Sequence, residues 1–447
     1  MNALLTDLYE LNMAASYLRR GMTGTATFSL FVRSLPAARG FLVAAGVESC
    51  LDRLQDFRFE EDDIRYLKDT QGFEDRDLEA FRRLRFTGDV WAIPEGRVVL
   101  AGEPILEVTG PLPEAQLVET LLLNQVTFET TIASKAARCV IAAGGREVVD
   151  FSFRRTQGIE AGIDVARLSS MVGFVATSNV EAARRHGLGA AGTMAHSYIE
   201  AFAGEVEAFR AFAQDFPGRA TFLVDTYDTI TGIKRAIAVI KELRLSGRLG
   251  IRIDSGDLVA LSRRGRGLLD RAGLRDVRIF ASGGLDELSI DKLVRDGALI
   301  DAFGVGTRMG VSADHPYLDT AYKLVWYQGR PVMKLSRGKV NAPGRKQVFR
   351  RAGPFGDLIG LYDEKPPPGR QPLLEPVMVG GSRRAERPSL EEIRARFKAD
   401  LDRLPPAARS VASPRAPAAR STEALQKLTQ ETRRRLVAGA RTASSVR

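Results

Sequence analysis

Six short clusters of polar residues and glycine recur along the chain, each directly after an apolar or β-branched run. They are DFSFRRTQG (150–158), GTMAHS (192–197), DTYDT (225–229), DSGD (254–257), SGG (282–284) and GVGT (304–307). In a parallel βα barrel the carboxyl ends of all strands open onto one face, where ligands bind. Six polar clusters at six corresponding places read as the rim of one active site, because solubility alone would not put them there.

The residue types narrow the chemistry. Gly283, Gly284, Gly304 and Gly306, with Ser282 and Thr307, fall at strand-to-helix junctions, where backbone N–H groups can cradle a phosphate. Any one of these glycines could simply permit a tight turn; two adjacent strands sharing the feature favour a phosphate site. No GxxxxGK[ST] occurs and no GxGxxG opens a first βα unit, which argues against Walker-type and dinucleotide sites. Asp225, Asp228, Asp254 and Asp257 are strand-end carboxylates that could bind ribose hydroxyls or a magnesium ion carrying a pyrophosphate. Asp228 and Asp257 also stand where a helix would use them as N-caps, whereas Asp225 and Asp254 end apolar runs and precede the caps. Arg154, Arg155 and Arg252 offer planar guanidiniums for bidentate recognition of phosphate or carboxylate. Of the three histidines, His186 ends a helix and His315 precedes Pro316, both ordinary structural positions; His196, beside Ser197 just past a strand end, is the functional candidate.

The elements that must position these residues follow from hydrophobic periodicity. Strands are expected at 146–153, 190–193, 221–225, 249–254, 277–281 and 299–305, with helices at 160–172, 198–213, 229–245, 257–272 and 285–296. Such alternation implies parallel βα units with right-handed crossovers, and six units suggest a closed barrel. Before them, 3–20 and 41–54 read as helices, 26–36 as a strand, 89–108 as short antiparallel strands and 114–143 as one long helix. After Lys334 come paired strands, a Pro-rich extended stretch from 364, a helix at 389–401 capped by Ser389, a Pro/Ala/Arg linker and a last helix at 422–440 capped by Ser421. The segments expected are an α+β domain (1–112), a βα-barrel domain (113–334), a C-terminal segment (335–402) packing on the first domain, and a basic tail (403–447).

Bulk properties exclude several classes. With 44% hydrophobic and 27% charged residues the composition is that of an ordinary soluble globular protein. No run of eighteen apolar residues exists, so no membrane span is expected, and the acidic start MNALLTDLYELN does not read as a signal peptide. Cys50 and Cys139 lack metal-like spacing and are expected to be buried thiols in a reducing cytoplasm. The formal charge of +10 resides mostly in the tail: residues 403–447 hold ten Lys/Arg against two Asp/Glu, leaving 55 basic and 53 acidic residues elsewhere. That tail contains no Phe, Tyr or Trp to stack on bases, so no nucleic-acid partner is expected.

Taken in order, TDLYELNM (6–13), FRRTQG, GTMAHS, LVDTYDT, IRIDSGDL, FGVGT and MKLSRGKVNAPGRKQV (333–348) resemble the nicotinate phosphoribosyltransferase family, with the type II phosphoribosyltransferase fold. The resemblance spans residues 6 to about 348. It implies an irregular, TIM-like parallel βα barrel with an α+β N-terminal domain and a C-terminal extension. The implied reaction joins nicotinate to phosphoribosyl pyrophosphate (PRPP), giving nicotinate mononucleotide and pyrophosphate in NAD biosynthesis. ATP is an implied co-substrate, so the enzyme would be of the ATP-coupled ligase type. The resemblance further implies that the pyridine ring stacks between Phe151 and the partner subunit's Tyr9 in a homodimer with a shared active site. Arg154 would hold the carboxylate or lie against the ring, with Arg252 beside it near the reacting groups. Asp225 and Asp254 would contact the ribose and a magnesium ion, and Ser282, Gly283, Gly306 and Thr307 the 5′-phosphate. His196 would be phosphorylated by ATP.

Substrate choice turns on ATSNVEA (176–182). Nicotinamide enzymes related to the family place an Asp there to accept a hydrogen bond from the amide; the corresponding residue here is Ser178. A carboxylate would be repelled by Asp and welcomed by hydroxyl and N–H donors. Nicotinate is therefore expected over nicotinamide; the alternatives are nicotinamide or quinolinate phosphoribosyltransferase.

Overall fold

The computed structural model describes residues 3–336, 341–353 and 355–444. Residues 337–340, within the stretch at 333–348 singled out from sequence, lie outside the described residues. The chain divides into two compact units, Ile132–Pro316 and Met1–Thr131 with Tyr317–Arg447.

Unit Ile132–Pro316 holds a six-stranded, all-parallel sheet. In chain order its strands are Glu147–Asp150, Ala176–Thr177, Thr221–Leu223, Gly250–Ile253, Arg278–Ala281 and Ala302–Val305. Across the sheet they run second, first, sixth, fifth, fourth, third. The first strand pairs with the sixth, Val148 opposite Phe303, so the sheet curls back on itself as a barrel does. The ladder is instead open between second and third strands, which makes the sheet a curled half-barrel where the sequence suggested full closure. Its strands are short continuous apolar runs because both faces are covered; Ile251, Ile279, Phe222 and Phe303 are fully buried. Helices Ile159–Met171, Thr229–Glu242, Leu258–Arg271 and Glu287–Arg295 make the connections. Two expectations change. The second strand is Ala176–Thr177, and 190–193 supplies only a single bridge from Ala190 to Thr177. The helix expected at 198–213 is two, His196–Glu200 and Glu205–Asp215, parted at Gly204, whose extended backbone starts the second.

Unit Met1–Thr131 with Tyr317–Arg447 is built on a seven-stranded sheet in which every pairing is antiparallel. Thr25–Val32 lies between Pro104–Pro111 and Thr320–Tyr327, while Glu375–Val379 pairs with Asp89–Ala92. The segment from Tyr317 therefore belongs with the N-terminal strands, not with the barrel segment to which sequence assigned it. The helix expected at 41–54 is a short strand, Leu42–Val43, followed by helix Val47–Gln55; Gly46 between them has φ +91, a conformation only glycine adopts without strain. The long helix also divides, into Leu112–Leu117 and Glu119–Ala143.

The basic tail is docked. Leu404, Ala408, Val411 and Leu425 are buried, and a Cβ on Gly40 would sit 2.1 Å from the Ala408 carbonyl oxygen. Ser421 is not the cap of the last helix, Glu423–Ser444; it pairs with Ile359, and Thr422 Oγ1 accepts from Leu425 N at 3.3 Å. Both cysteines are free and buried, and no helix among the described residues is long and apolar enough to cross a membrane.

One buried carboxyl fixes the helix Leu8–Arg19, which carries Tyr9. Glu10 is fully buried. It accepts from Thr120 N at 3.1 Å, Thr120 Oγ1 at 2.9 Å, Tyr9 Oη at 3.1 Å and the Thr6 hydroxyl. These bonds tie the helix to the first turn of Glu119–Ala143. Burial outweighs the donors and raises the Glu10 pKa from 4.5 to about 7. A carboxyl with a raised folded pKa stabilises fully below its unfolded pKa, and that stability is lost as pH rises through the folded value. Glu10→Gln should therefore remove a loss of stability on the order of 2 kcal/mol that the native chain shows between about pH 5 and 8. Urea denaturation of both proteins across that range measures it; parallel pH profiles would show that Glu10 is not the titrating group.

Candidate active site

The strand ends of Ile132–Pro316 bring together most of the residues singled out from sequence. Arg252, on the fourth strand, is the hub. Its Nη2 donates to Asp254 Oδ1 at 2.7 Å, its Nε to Ser282 Oγ at 2.7 Å and its Nη1 to Thr193 Oγ1 at 3.1 Å. Ser282 also donates its hydroxyl to Asp254 Oδ1. The guanidinium lies over the Phe151 ring at 5.4 Å from its centroid, a cation–π contact. Burial pushes the Asp254 carboxyl up, but the Ser282 hydroxyl and the Arg252 guanidinium outweigh it and hold the pKa below the usual value. Asp254 is thus a fixed anion.

Asp225, at the end of the third strand, is joined to this group through the backbone. Its Oδ2 accepts from Asp254 N at 2.9 Å and from Ser255 Oγ at 2.6 Å, while its Oδ1 is buried with no hydrogen-bond partner. Among the described residues no set of three His, Cys, Asp or Glu side chains gathers to hold a metal. Two carboxylates with a spare, desolvated oxygen nevertheless suit a hard cation that takes its remaining ligands from substrate oxygens and water. Asp228 and Asp257 are helix caps, accepting from Thr231 N at 2.8 Å and from Val259 N and Ala260 N at 3.1 Å. His196 opens a short helix, with Nδ1 3.1 Å from Thr226 Oγ1.

The glycine turns are neighbours, because fifth and sixth strands pair directly. Gly283 and Gly284 have φ +95 and +66, and the turn is exposed. Arg308 Nη1 donates to Asp286 Oδ2 at 3.1 Å, binding the two turns to each other. Arg155 Nη1 reaches Thr307 Oγ1 at 3.3 Å, whereas Arg154 is exposed without a side-chain partner among the described residues. Gly304 is demanded by Phe151: a Cβ there would lie 2.8 Å from that ring and 2.9 Å from Phe280. Ser178 follows the second strand and is exposed, its N–H donating to Asp150 O at 2.8 Å, which sets it beside Phe151 across the strand pair.

Sequence reasoning passed over Asp150. It is fully buried and accepts from Ser152 N at 2.9 Å, Ser152 Oγ at 2.6 Å and Thr177 Oγ1 at 2.7 Å. It thereby fixes the backbone on both sides of Phe151 and Ser178; the available signal was a carboxylate closing an apolar strand. Thr193, Thr226 and Arg308 were also missed, though all three stand in or next to the polar clusters. Tyr9 belongs to the other unit, on Leu8–Arg19, and the residue is 47% exposed. Burial and the nearby Glu119 and Glu10 carboxylates raise its hydroxyl pKa.

The tightest constraint is at Gly283, where a Cβ would stand 1.8 Å from the Asp254 carbonyl oxygen. Gly283→Ala should cost at least about 2 kcal/mol in stability or displace the Asp254 turn. Unfolding measurements together with a crystal structure of the variant test it: native stability with an unmoved Asp254 turn would contradict this packing.

Known proteins share the sequence and the fold of this chain. Models of the nicotinate phosphoribosyltransferase (NAPRTase) N-terminal domain, the NAPRTase family and the C-terminal domain match residues 4–127, 146–349 and 369–429. A nicotinate phosphoribosyltransferase of Mycobacterium tuberculosis is 48% identical over 92% of this chain and 89% of its own length. One from Bacillus subtilis is 42% identical over 81% of this chain and 77% of its own. The crystal structure of human nicotinic acid phosphoribosyltransferase superposes with a TM-score of 0.83 at 29% identity, covering 95% of this chain and 99% of that one. The chain belongs to the nicotinate phosphoribosyltransferase family.

Proposed function

We propose that the protein transfers the phosphoribosyl group of PRPP to nicotinate, giving nicotinate mononucleotide and pyrophosphate, with ATP hydrolysis coupled through His196. The observation that carries this reading is the Arg252 hub. One guanidinium ties an anionic Asp254, the Ser282 phosphate turn and Thr193 of the His196 segment into a single rim under Phe151.

In this reading the pyridine nitrogen attacks the anomeric carbon as the bond to pyrophosphate breaks. The chain's task is to position the ring and neutralise charge on the leaving group. Phe151 offers a face for the pyridine, and Arg154, which has no side-chain partner among the described residues, is available to its carboxylate. Ser178 offers a hydroxyl where an acidic side chain would repel that carboxylate. The turns at Ser282–Gly283 and Gly306–Thr307 present backbone N–H groups to the 5′-phosphate. Asp225 and Asp254 would hold a magnesium ion, whose charge would stabilise the departing pyrophosphate. Thr226 engages His196 Nδ1, which leaves Nε2 to accept the γ-phosphoryl group of ATP as ADP departs; water later removes the phosphate from the nitrogen.

A single set of assays tests the substrate and the ATP step. Native protein and His196→Ala are compared with nicotinate and with nicotinamide, each with and without ATP. The expected result is synthesis from nicotinate far above that from nicotinamide, and an acid-labile phosphate on the native protein. His196→Ala should lose ATP hydrolysis and stimulation while still binding PRPP. Equal use of the two pyridines would overturn the substrate assignment, and full ATP stimulation in His196→Ala would remove the phosphohistidine.

The reading includes a homodimer in which the partner subunit's Tyr9 completes the pyridine site. Exposure of the Tyr9 ring on a helix anchored by Glu10 supports it. Mixing inactive Tyr9→Ala with inactive Arg154→Ala chains should restore part of the activity, because a mixed dimer regains one intact site. No recovery after verified subunit exchange would show that each chain uses its own Tyr9 or none.

A further inference from the structure

A second strongly basic feature lies away from the half-barrel, within the unit that holds both termini. Arg97, Arg350, Arg351, Arg396 and Arg403 line one cavity of about 280 Å³. They converge from the Pro94–Arg97 turn, the strand Lys346–Arg351 and the helix Leu390–Arg403. Guanidiniums crowded together repel unless anions stand between them.

The internal anions account for only part of the group. Fully buried Asp400 has Oδ2 at 3.1 Å from Arg97 Nε and 2.6 Å from Arg350 Nη1. Arg350 also forks onto Asp357, with Nη2 at 2.6 Å from Oδ2. Arg403 donates to the backbone carbonyls of Arg351 and Gly353. Exposed Arg351 and half-buried Arg396 have no side-chain hydrogen bond or ion pair among the described residues; the wall's own carboxylate, Glu375, is exposed, and Glu392 lies near enough to Arg396 to feel its charge. The excess charge is felt by its neighbours. Burial lowers the Arg97 pKa, and the Arg350 and Arg403 cations add to that despite Asp400. Burial lowers that of Arg370, and Arg351 adds to it.

We propose that this cavity binds a small phosphoryl anion, held by Arg351 and Arg396 with Arg97 and Arg403 behind them. A guanidinium fork matches phosphate oxygens bidentately, and a doubly charged group answers two cations without ion-pair partners better than a carboxylate does. The small, concave volume suits a free anion or a compact phosphate ester and excludes a nucleic-acid strand. Pro94, Pro372 and Leu373 on the wall give an ester an apolar face to lie against. Because the cavity is walled by both N-terminal and C-terminal segments, a bound anion would staple them and raise the unfolding temperature.

The native protein and Arg351→Ala/Arg396→Ala are titrated calorimetrically with inorganic phosphate, pyrophosphate and ATP, and native crystals are soaked in tungstate. The expected result is tungstate between Arg351 and Arg396. One binding component should weaken by about tenfold or more in the double variant, which keeps its synthesis rate in phosphate-free buffer. Arg351→Lys/Arg396→Lys should retain most of that component. The order of affinity among the three ligands separates a free anion from the terminal group of a nucleotide. Tungstate absent from the cavity at concentrations that fill the half-barrel, or unchanged isotherms in the double alanine variant, would overturn the proposal.

Discussion

The hydrogen-bonded fork of Arg252 onto Asp254, Ser282 and Thr193 is the interaction on which the rest of the half-barrel rim depends. It works because neighbouring strand ends must meet within about one side-chain length, and parallel strands about 4.8 Å apart do this automatically. Asp254 sits where it does because its own N–H is held by Asp225, just past the third strand. Ser282 sits where it does because its N–H donates to Ile253 O at 3.0 Å. Backbone pairing therefore sets the first coordinate of each group and the guanidinium sets the second. A lysine could supply the charge and three donors, but all from one nitrogen; the guanidinium spreads its donors over three nitrogens held in one plane, which lets it reach Asp254, Ser282 and Thr193 together.

The same fork explains why glycine is confined to particular rim positions. At Gly283 the backbone passes so near the Asp254 carbonyl that any Cβ would overlap it, and at Gly304 the Phe151 and Phe280 rings occupy the side-chain volume. These two glycines let a turn and an aromatic ring approach the charged group. Gly284, with open space around its missing Cβ, is needed for its positive φ and not for room.

Much of this was legible in the sequence, and what was not has a physical cause. Apolar runs followed by polar clusters marked five of the six strands, because a buried parallel strand must be apolar and its carboxyl end must be polar if it binds anything. The second strand was misplaced, since Ala176–Thr177 is too short to carry a periodic signal and the similar run at 190–193 stands beside it. Asp225 and Asp228 are the same residue type three positions apart in one cluster, yet one holds a backbone turn and the other caps a helix. Sequence separated them because a cap must stand immediately before its helix. The openness of the barrel between second and third strands left no trace in the pattern, since closure depends on hydrogen bonds between strands and not on composition within them. Units assembled from both ends of the chain were equally hidden: nothing in Thr320–Tyr327 alone tells that it pairs with Thr25–Val32.

Buried charge is handled in two ways in this chain, and the contrast separates charges that hold the fold from charges left available. Lys346, fully desolvated, is matched by Glu107 at 3.3 Å and by the Gly344 carbonyl at 2.8 Å, while Glu107 in turn accepts from Lys346 N at 2.9 Å. Both charges of that pair are partnered, as a buried ion pair requires if it is not to destabilise. At the half-barrel rim, by contrast, Asp225 keeps a buried oxygen without a partner, and Arg154 has no side-chain partner among the described residues. An unsatisfied buried carboxylate oxygen costs on the order of 1–3 kcal/mol. Glu103 Oε1 and Asp400 Oδ1 carry the same cost inside the other unit; that of Asp225 differs in standing at the strand ends, where the fold gathers its polar clusters and a ligand can offset it. Arg351 and Arg396, on the wall of one cavity outside the half-barrel, also lack an ion pair among the described residues, with charge opposite in sign to Asp225. Uncompensated charge of either sign in a concave place is what a ligand of the other sign can answer, whereas the matched pair of Lys346 and Glu107 leaves nothing for one to do.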